Sequence, residues 1–130
     1  MKKSALSYIL ITIVGLVDVF LQLSFYKSGL GNPNRGISFG VGQNIFPSYS
    51  YLFIVLGLVI SLLFAKRLSV RWWLIIVGGS ANGLVRMSLG YVWDYIHWNL
   101  GFQLWLNIAD ILISLGVVTL LLEFNNNKDE

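Results

Sequence analysis

The sequence predicts an all-α membrane protein of four transmembrane helices, with both termini cytoplasmic and a small extracytoplasmic β element. Three observations predict it. The 130 residues are 56% hydrophobic and only 12% charged, with mean hydropathy +0.73. A soluble domain of this size would need more charge on its surface. The apolar residues gather in four stretches, at 5–26, 48–65, 72–89 and 102–123. Each is near the ~20 residues that a helix needs to cross a ~30 Å hydrocarbon core. Finally, lysine and arginine are distributed unevenly around these stretches.

The first stretch follows Met1-Lys2-Lys3, as a secretory signal would. Its apolar run is too long for a cleaved signal and no small-x-small site closes it, so it is expected to stay as an anchor. The second and third stretches are shorter, with aromatic residues at their ends to extend them. With the N-terminus inside, the cytoplasmic segments carry Lys2, Lys3, Lys66, Arg67, Arg71 and Lys128, against Lys27 and Arg35 outside. That bias sets the orientation. Loops 27–47 and 90–101 then face the same outer compartment, and 66–71 is a short basic inner loop. Loop 27–47 is rich in turn formers, including Gly29, Gly31, Asn32, Pro33, Asn34 and Gly36. The alternation over 36–41 fits a short strand or hairpin at the membrane surface. The polar tail at 125–130 is expected to fray. One membrane domain, 1–130, is expected.

Composition removes several function classes. There is no cysteine, which excludes disulfides, thiol catalysis and cysteine-ligated metals. One histidine, His97, argues against a histidine metal site. The net charge of +3 is scattered at the ends of apolar segments, which is membrane topology and not a nucleic-acid face.

Three aspartates, Asp18, Asp94 and Asp110, lie inside or beside apolar stretches, while Glu123, Asp129 and Glu130 lie at or beyond the last one. A carboxylate costs several kcal/mol in hydrocarbon, so such residues read as a functional site facing protein or water. At about 1.5 Å per residue, Asp110, Asp18 and Asn82 fall ~12 Å below the outer ends of their spans and Arg86 ~6 Å. Asp94 follows in the outer loop. Three polar stripes share helix faces: Gly15/Asp18/Gln22, Gly79/Asn82/Gly83/Arg86/Gly90 and Asn107/Asp110/Ser114. Gly79 and Gly83 form a GxxxG suited to close helix contact. A polar cleft open to the outer face is expected.

Each group also has a plainer reading. Asp18 with Gln22 reads equally as interhelical glue. Asn82 and Ser114 read as packing or supporting groups, and Arg86 as an aspartate's charge partner or a snorkelling cation. His97 reads as interfacial, Gly36 as a backbone requirement, and Trp72, Trp73, Trp93, Trp98 and Trp105 as belt residues.

Two carboxylates held close cannot both ionise, so they share a proton. The ionised member can activate water while the protonated member polarises a carbonyl and later protonates a leaving amine. That is aspartic peptidase chemistry, and it requires no metal or cofactor. Proton carriers use the same residues.

The strings around these residues resemble the lipoprotein signal peptidases, the signal peptidase II family of bacterial membrane aspartic proteases. Asn34-Arg35-Gly36-Ile37-Ser38-Phe39-Gly40 is similar to the family's Asn-x-Gly-x-Ala-Phe. Gly78-Gly79-Ser80-Ala81-Asn82-Gly83-Leu84-Val85-Arg86 resembles Gly-Ala-x-Gly-Asn-x-x-Asp-Arg. Gly90-Tyr91-Val92-Trp93-Asp94-Tyr95-Ile96 resembles Gly-x-Val-x-Asp-Phe, and Leu106-Asn107-Ile108-Ala109-Asp110 resembles Phe-Asn-x-Ala-Asp. Asp18 stands where the family has an aspartate in its first helix. Val85 replaces an aspartate, Ala81 a glycine, Val19 a glutamine and Ile111 a serine.

The resemblance implies four membrane helices with a small extracytoplasmic β element, in the bacterial cytoplasmic membrane, with the site toward the extracytoplasmic face. It implies removal of signal peptides from lipidated prolipoprotein substrates, just before a lipid-modified cysteine. Asp94 and Asp110 would be catalytic. Asn34, Gly36, Asn82, Arg86 and Asn107 would shape the site or hold substrate, with Asp18 beside them. A monomer in contact with membrane lipids is expected. Two other readings stay open: a non-catalytic or altered-substrate paralogue that binds lipidated peptides, and a small proton or ligand carrier.

Overall fold

The computed structural model describes residues 3–36, 57, 59, 63 and 69–126. Among them, helix α1 (Lys3–Ser28) leads into strand β1 (Asn32–Asn34). Helix α2 (Val70–Leu89) leads into strand β2 (Val92–Asp94). Strands β3 (Ile96–Asn99) and β4 (Gln103–Leu106) form a hairpin, and helix α3 (Ile108–Asn126) follows. The C-terminal ends of α1 and α2 and the N-terminal end of α3 therefore meet at the end that carries the strands.

Local chemistry ends each helix. At the end of α1 the Gly29 N–H reaches the Tyr26 carbonyl and the Leu30 N–H the Phe25 carbonyl, both at 3.1 Å. This is a Schellman closure, and Gly29 adopts the left-handed φ of +70° that it needs. The α2 helix ends on Gly90 at φ +82°, whose N–H bonds the Arg86 carbonyl at 2.8 Å. The left-handed turn sends the chain straight into β2.

Strands β1 and β2 pair antiparallel, with Asn32 opposite Asp94, Pro33 opposite Trp93 and Asn34 opposite Val92. Strands β3 and β4 pair from Ile96–Leu106 to Asn99–Gln103, closed by a three-residue loop with Gly101 at φ +86°. All three residues of β2 are buried.

Two helices, Ala5–Ser28 and Ile108–Asn125, are long and apolar enough to cross a membrane. Their large side chains point outward, among them Leu16, Phe20, Leu121 and Leu122. Water would penalise that surface and lipid would cover it. Among the described residues the buried apolar side chains are Val77, Ala81, Val85, Val92, Trp93, Leu106, Ala109 and Leu112. Glycines make the packing between helices tight. A Cβ on Gly78 would stand 2.6 Å from the Ala109 carbonyl oxygen, and one on Gly116 2.8 Å from the Arg71 carbonyl oxygen. At Gly79 a Cβ would meet nothing within 4 Å, so Gly79 is not a point of close helix approach, while Gly83 is buried.

Other expectations change too. The fourth stretch, expected as a helix over 102–123, is helical only from Ile108. Residues Gln103–Leu106 are apolar enough to prolong the hydropathy signal, yet they pair with β3. Outer loop 90–101 is thus two strands, and Asp110 sits in the first turn of α3 instead of ~12 Å into a span. The strand expected at 36–41 lies outside the described residues except for Gly36. The span at 48–65 does too, except for Gly57, Val59 and Leu63, which are helical.

Candidate active site

The site begins with a helix cap. Asn107 precedes α3, and its carbonyl accepts the first helical bond from the Ile111 N–H at 3.4 Å. Its Oδ1 accepts the Asp110 backbone N–H at 2.9 Å, and Asp110 Oδ2 accepts the Asn107 N–H at 3.2 Å. This reciprocal pair is a capping box built from Asn and Asp. The Asn-x-x-Asp spacing therefore orients the Asp110 carboxylate before any chemistry is considered. A third donor of that helix end, the Ile108 N–H, is accepted by Asp18 Oδ1 at 3.1 Å.

With its oxygen held by the cap, Asn107 directs its Nδ2 to Asp94 Oδ1 at 2.9 Å. One amide thus touches both aspartates. Asp94 Oδ2 accepts from Asn34 Nδ2 at 3.0 Å. In the sheet register Asn34 lies opposite Val92, so this bond is the diagonal contact on one face. Asn34 is itself locked, because its Oδ1 accepts the Gly36 N–H at 3.0 Å. Asn82 Nδ2 donates to Asp110 Oδ1 at 2.9 Å. Each carboxylate is therefore gripped by two N–H donors.

Arg86 donates to the Gly36 carbonyl and feels the charges of Asp110 and Asp94. It forms no ion pair with either, so its expected role as a direct partner becomes one of clamping the β1 loop beside the pair. Asp18 accepts from Gln22 Nε2 at 2.7 Å and from the Tyr95 hydroxyl at 2.6 Å, besides the Ile108 N–H. It joins three elements, which is the glue reading. Asp18, Gln22, Asn34, Asp94, Asn107 and Asp110 are all at most 5% exposed. At that burial an unpaired polar group costs about 1–3 kcal/mol, and here each has partners.

Burial pushes the Asp94 carboxyl up to about 7, with the neighbouring Asp110 charge adding to the rise and the Asn34 and Asn107 amides opposing it. Burial, reinforced by the bond to Asp18, drives the Tyr95 hydroxyl well upward, so it serves as a neutral donor.

All eight residues expected at the site, Asp18, Asn34, Gly36, Asn82, Arg86, Asn107, Asp94 and Asp110, belong to this one network. His97 does not. It is exposed on β3, stacked on Trp105 at 4.5 Å and bonded to Gln103. Trp93 is not a belt residue: it is buried, and its Nε1 donates to the Leu30 carbonyl at 2.9 Å. Trp73 ties helices together, donating to the Tyr8 carbonyl and to Thr12 Oγ1, both at 3.1 Å. Two site residues stood outside the expected set. Gln22 shared a stripe with Asp18, four residues away in an apolar helix, which was a usable signal. Tyr95 had none, being one aromatic among many.

The sequence pattern of the family described as Signal peptidase (SPase) II matches residues 4–125. The chain is 34% identical to the lipoprotein signal peptidase of Aquifex aeolicus over 119 residues, covering 83% of this chain and 69% of that protein. It is 32% identical to that of Helicobacter pylori over 96 residues, covering 68% and 61%. For that of Methylobacterium radiotolerans the figures are 31% over 100 residues, covering 69% and 58%. The chain thus spans about three fifths of the latter two. The fold matches a bacterial membrane enzyme solved by the in meso method at 2.3 Å, with TM-score 0.80 at 18% identity over 93% of this chain and 88% of that one. A second such enzyme, at 1.9 Å, gives 0.67 at 21% over 90% and 91%. A pattern that runs nearly end to end makes this chain a member of the signal peptidase II family.

Proposed function

We propose that this chain is a membrane aspartic endopeptidase that removes signal peptides from prolipoproteins, just before a lipid-modified cysteine. The observation that carries it is Asn107, whose side-chain amide donates to the Asp94 carboxylate and accepts the Asp110 backbone N–H. The ionised carboxylate takes a proton from a water molecule, whose oxygen attacks the scissile carbonyl. The protonated carboxyl donates a hydrogen bond to the carbonyl oxygen and then gives its proton to the leaving amine. The two share one proton, and the pair titrates as a unit.

In this reading the chain crosses the bacterial cytoplasmic membrane four times as a monomer, with both termini cytoplasmic and the strands toward the extracytoplasmic face. The basic residues at the inner ends support that orientation. The outward apolar faces of α1 and α3 support contact with lipid. The departure at Val85 is compatible with activity: the side chain is 1% exposed, among buried apolar residues, and is not one of the groups that bond the two aspartates.

The test is cleavage of a diacylated precursor peptide by purified protein, with and without a cyclic depsipeptide inhibitor of the family. Asp94→Asn and Asp110→Asn should each abolish cleavage while leaving the protein folded. Full activity in either variant would sink the mechanism. Peptide binding without cleavage by the unaltered chain would favour the non-catalytic paralogue.

A further inference from the structure

Three asparagines face the two aspartates, and the polarity of each amide must be set by something. For Asn107 it is the Asp110 backbone N–H on Oδ1, and for Asn34 the Gly36 backbone N–H on Oδ1. A backbone donor cannot turn round, so these two amides are locked. For Asn82 the group on Oδ1 is a side chain, Gln22 Nε2 at 3.0 Å.

Gln22 is in turn oriented by backbone. Its Oε1 accepts the Trp93 N–H at 3.1 Å. Pro33, opposite Trp93 in the sheet, has no N–H of its own. With the oxygen so engaged, both hydrogens of Nε2 point the other way, to Asp18 Oδ2 at 2.7 Å and to Asn82 Oδ1. Asn82 must then present Nδ2 to Asp110. The order of donors runs from the Trp93 peptide, next to Asp94, through Gln22 and Asn82 to Asp110.

We infer that Gln22 is a positioning residue for the proposed peptidase: it fixes the Asn82 amide so that a donor, and not an oxygen, faces Asp110. Gln22 is 0% exposed, and each end of its amide is engaged: the oxygen by the Trp93 N–H, the nitrogen by Asp18 and Asn82. Without it the Asn82 amide is free to turn over. Oxygen would then face oxygen at Asp110, and one of the two donors that hold that carboxylate would be lost. The effect belongs in the rate of the chemical step and not in peptide binding, because Gln22 is walled off from any substrate.

This inference rests on the peptidase reading, and the experiment separates the two. Gln22→Met keeps the length and removes both polar ends. Gln22→Glu keeps an acceptor for the Trp93 N–H and removes the donors. Both are compared with the unaltered chain on the diacylated peptide, with kcat normalised to inhibitor-titrated sites. Each variant should lower kcat by about 10–100-fold, the range found for groups that orient metal-ligating side chains, with KM within about threefold. In an Asn82→Ala background, Gln22→Met should lower kcat no further, since the effect travels through Asn82. No cleavage by the unaltered chain overturns the peptidase reading. Cleavage by that chain, together with an unchanged kcat in Gln22→Met, overturns the inference alone. So does a loss confined to KM, or a full additive loss in the double variant. If neither variant accumulates as folded protein, Gln22 is merely structural and the inference falls.

Discussion

The two ends of the helical assembly are built from the same apolar helices and hold their polar groups in opposite ways. At the end away from the strands, the ion pair Arg71–Glu123 spans 2.9 Å with its side chains 42% and 44% exposed. There Trp73 meets Tyr8 edge-on at 5.8 Å, and Gly116 lets α3 close on Ile75. At the strand end the polar side chains around Asp94 and Asp110 are buried and answer one another. Charge at the first end meets solvent or headgroups and is replaceable. At the second, each group is a partner that another cannot lose.

The largest test of that contrast is Asn107→Ala. It removes the cap of α3, for about 1 kcal/mol, takes one of its two donors from the Asp94 carboxylate and leaves the Asp110 backbone N–H without its acceptor. Cleavage should fall by up to about 100-fold, as when a group that orients a ligating side chain is lost, with a lower melting temperature in detergent. A variant with near-normal turnover would mean that the two carboxylates are held by something else.

Neighbouring glycines sharpen the packing side. In Gly78→Ala the new methyl would press on the Ala109 carbonyl, one residue from Asp110. Overpacking of this kind costs roughly 1–3 kcal/mol, and activity should fall with it. Gly79→Ala enters open space and should stabilise by about 0.5–1 kcal/mol through the helix backbone alone. Thermal unfolding of the two variants, if it shows the reverse order, removes Gly78 as the contact point.

Acidity gives an intermediate effect. Asp94 is held near 7 against an ordinary carboxyl value of about 4. Ionisation of the second carboxyl should therefore end activity on an alkaline limb near pH 7. The Asn34 donor favours the charged form, so Asn34→Ala should move Asp94 up and carry that limb to higher pH. A profile of kcat/KM that stays put or moves down would refute this. The same shift bears on stability. Between about pH 4 and 7 folded Asp94 retains a proton that the unfolded chain has lost. The melting temperature should therefore fall as pH rises through that window and level off above it.

The smallest expected effect is at the other end. Arg71→Ala or Glu123→Ala should change stability by no more than about 0.5 kcal/mol, as exposed ion pairs do, with cleavage unaltered. A large loss in either would erase the difference between the two ends.

Much of the site could be read from short strings because their chemistry is local. Asn107 and Asp110 lie three residues apart because a capping box needs that spacing. Gly90 precedes β2 because the helix must end in a left-handed turn. Buried carboxylates in apolar surroundings announce themselves by their cost. What hydropathy could not show is where α3 starts, since Leu104, Trp105 and Leu106 are as apolar in a strand as in a helix. Nor could it tell Trp93, buried under α1, from Trp98, which lies exposed on the hairpin.

Composition, charge bias and the Asp94 and Asp110 strings were enough to establish a membrane protein with a carboxylate pair, because residues close in sequence interact through known spacings. The partners of that pair required the folded chain. Asn34 reaches Asp94 across 60 residues, Gln22 reaches the Trp93 peptide across 71, and Asp18 caps Ile108 across 90. Contacts of that span leave no periodicity behind them. They arise when packing brings three helix ends to one place and every buried donor there must find an acceptor.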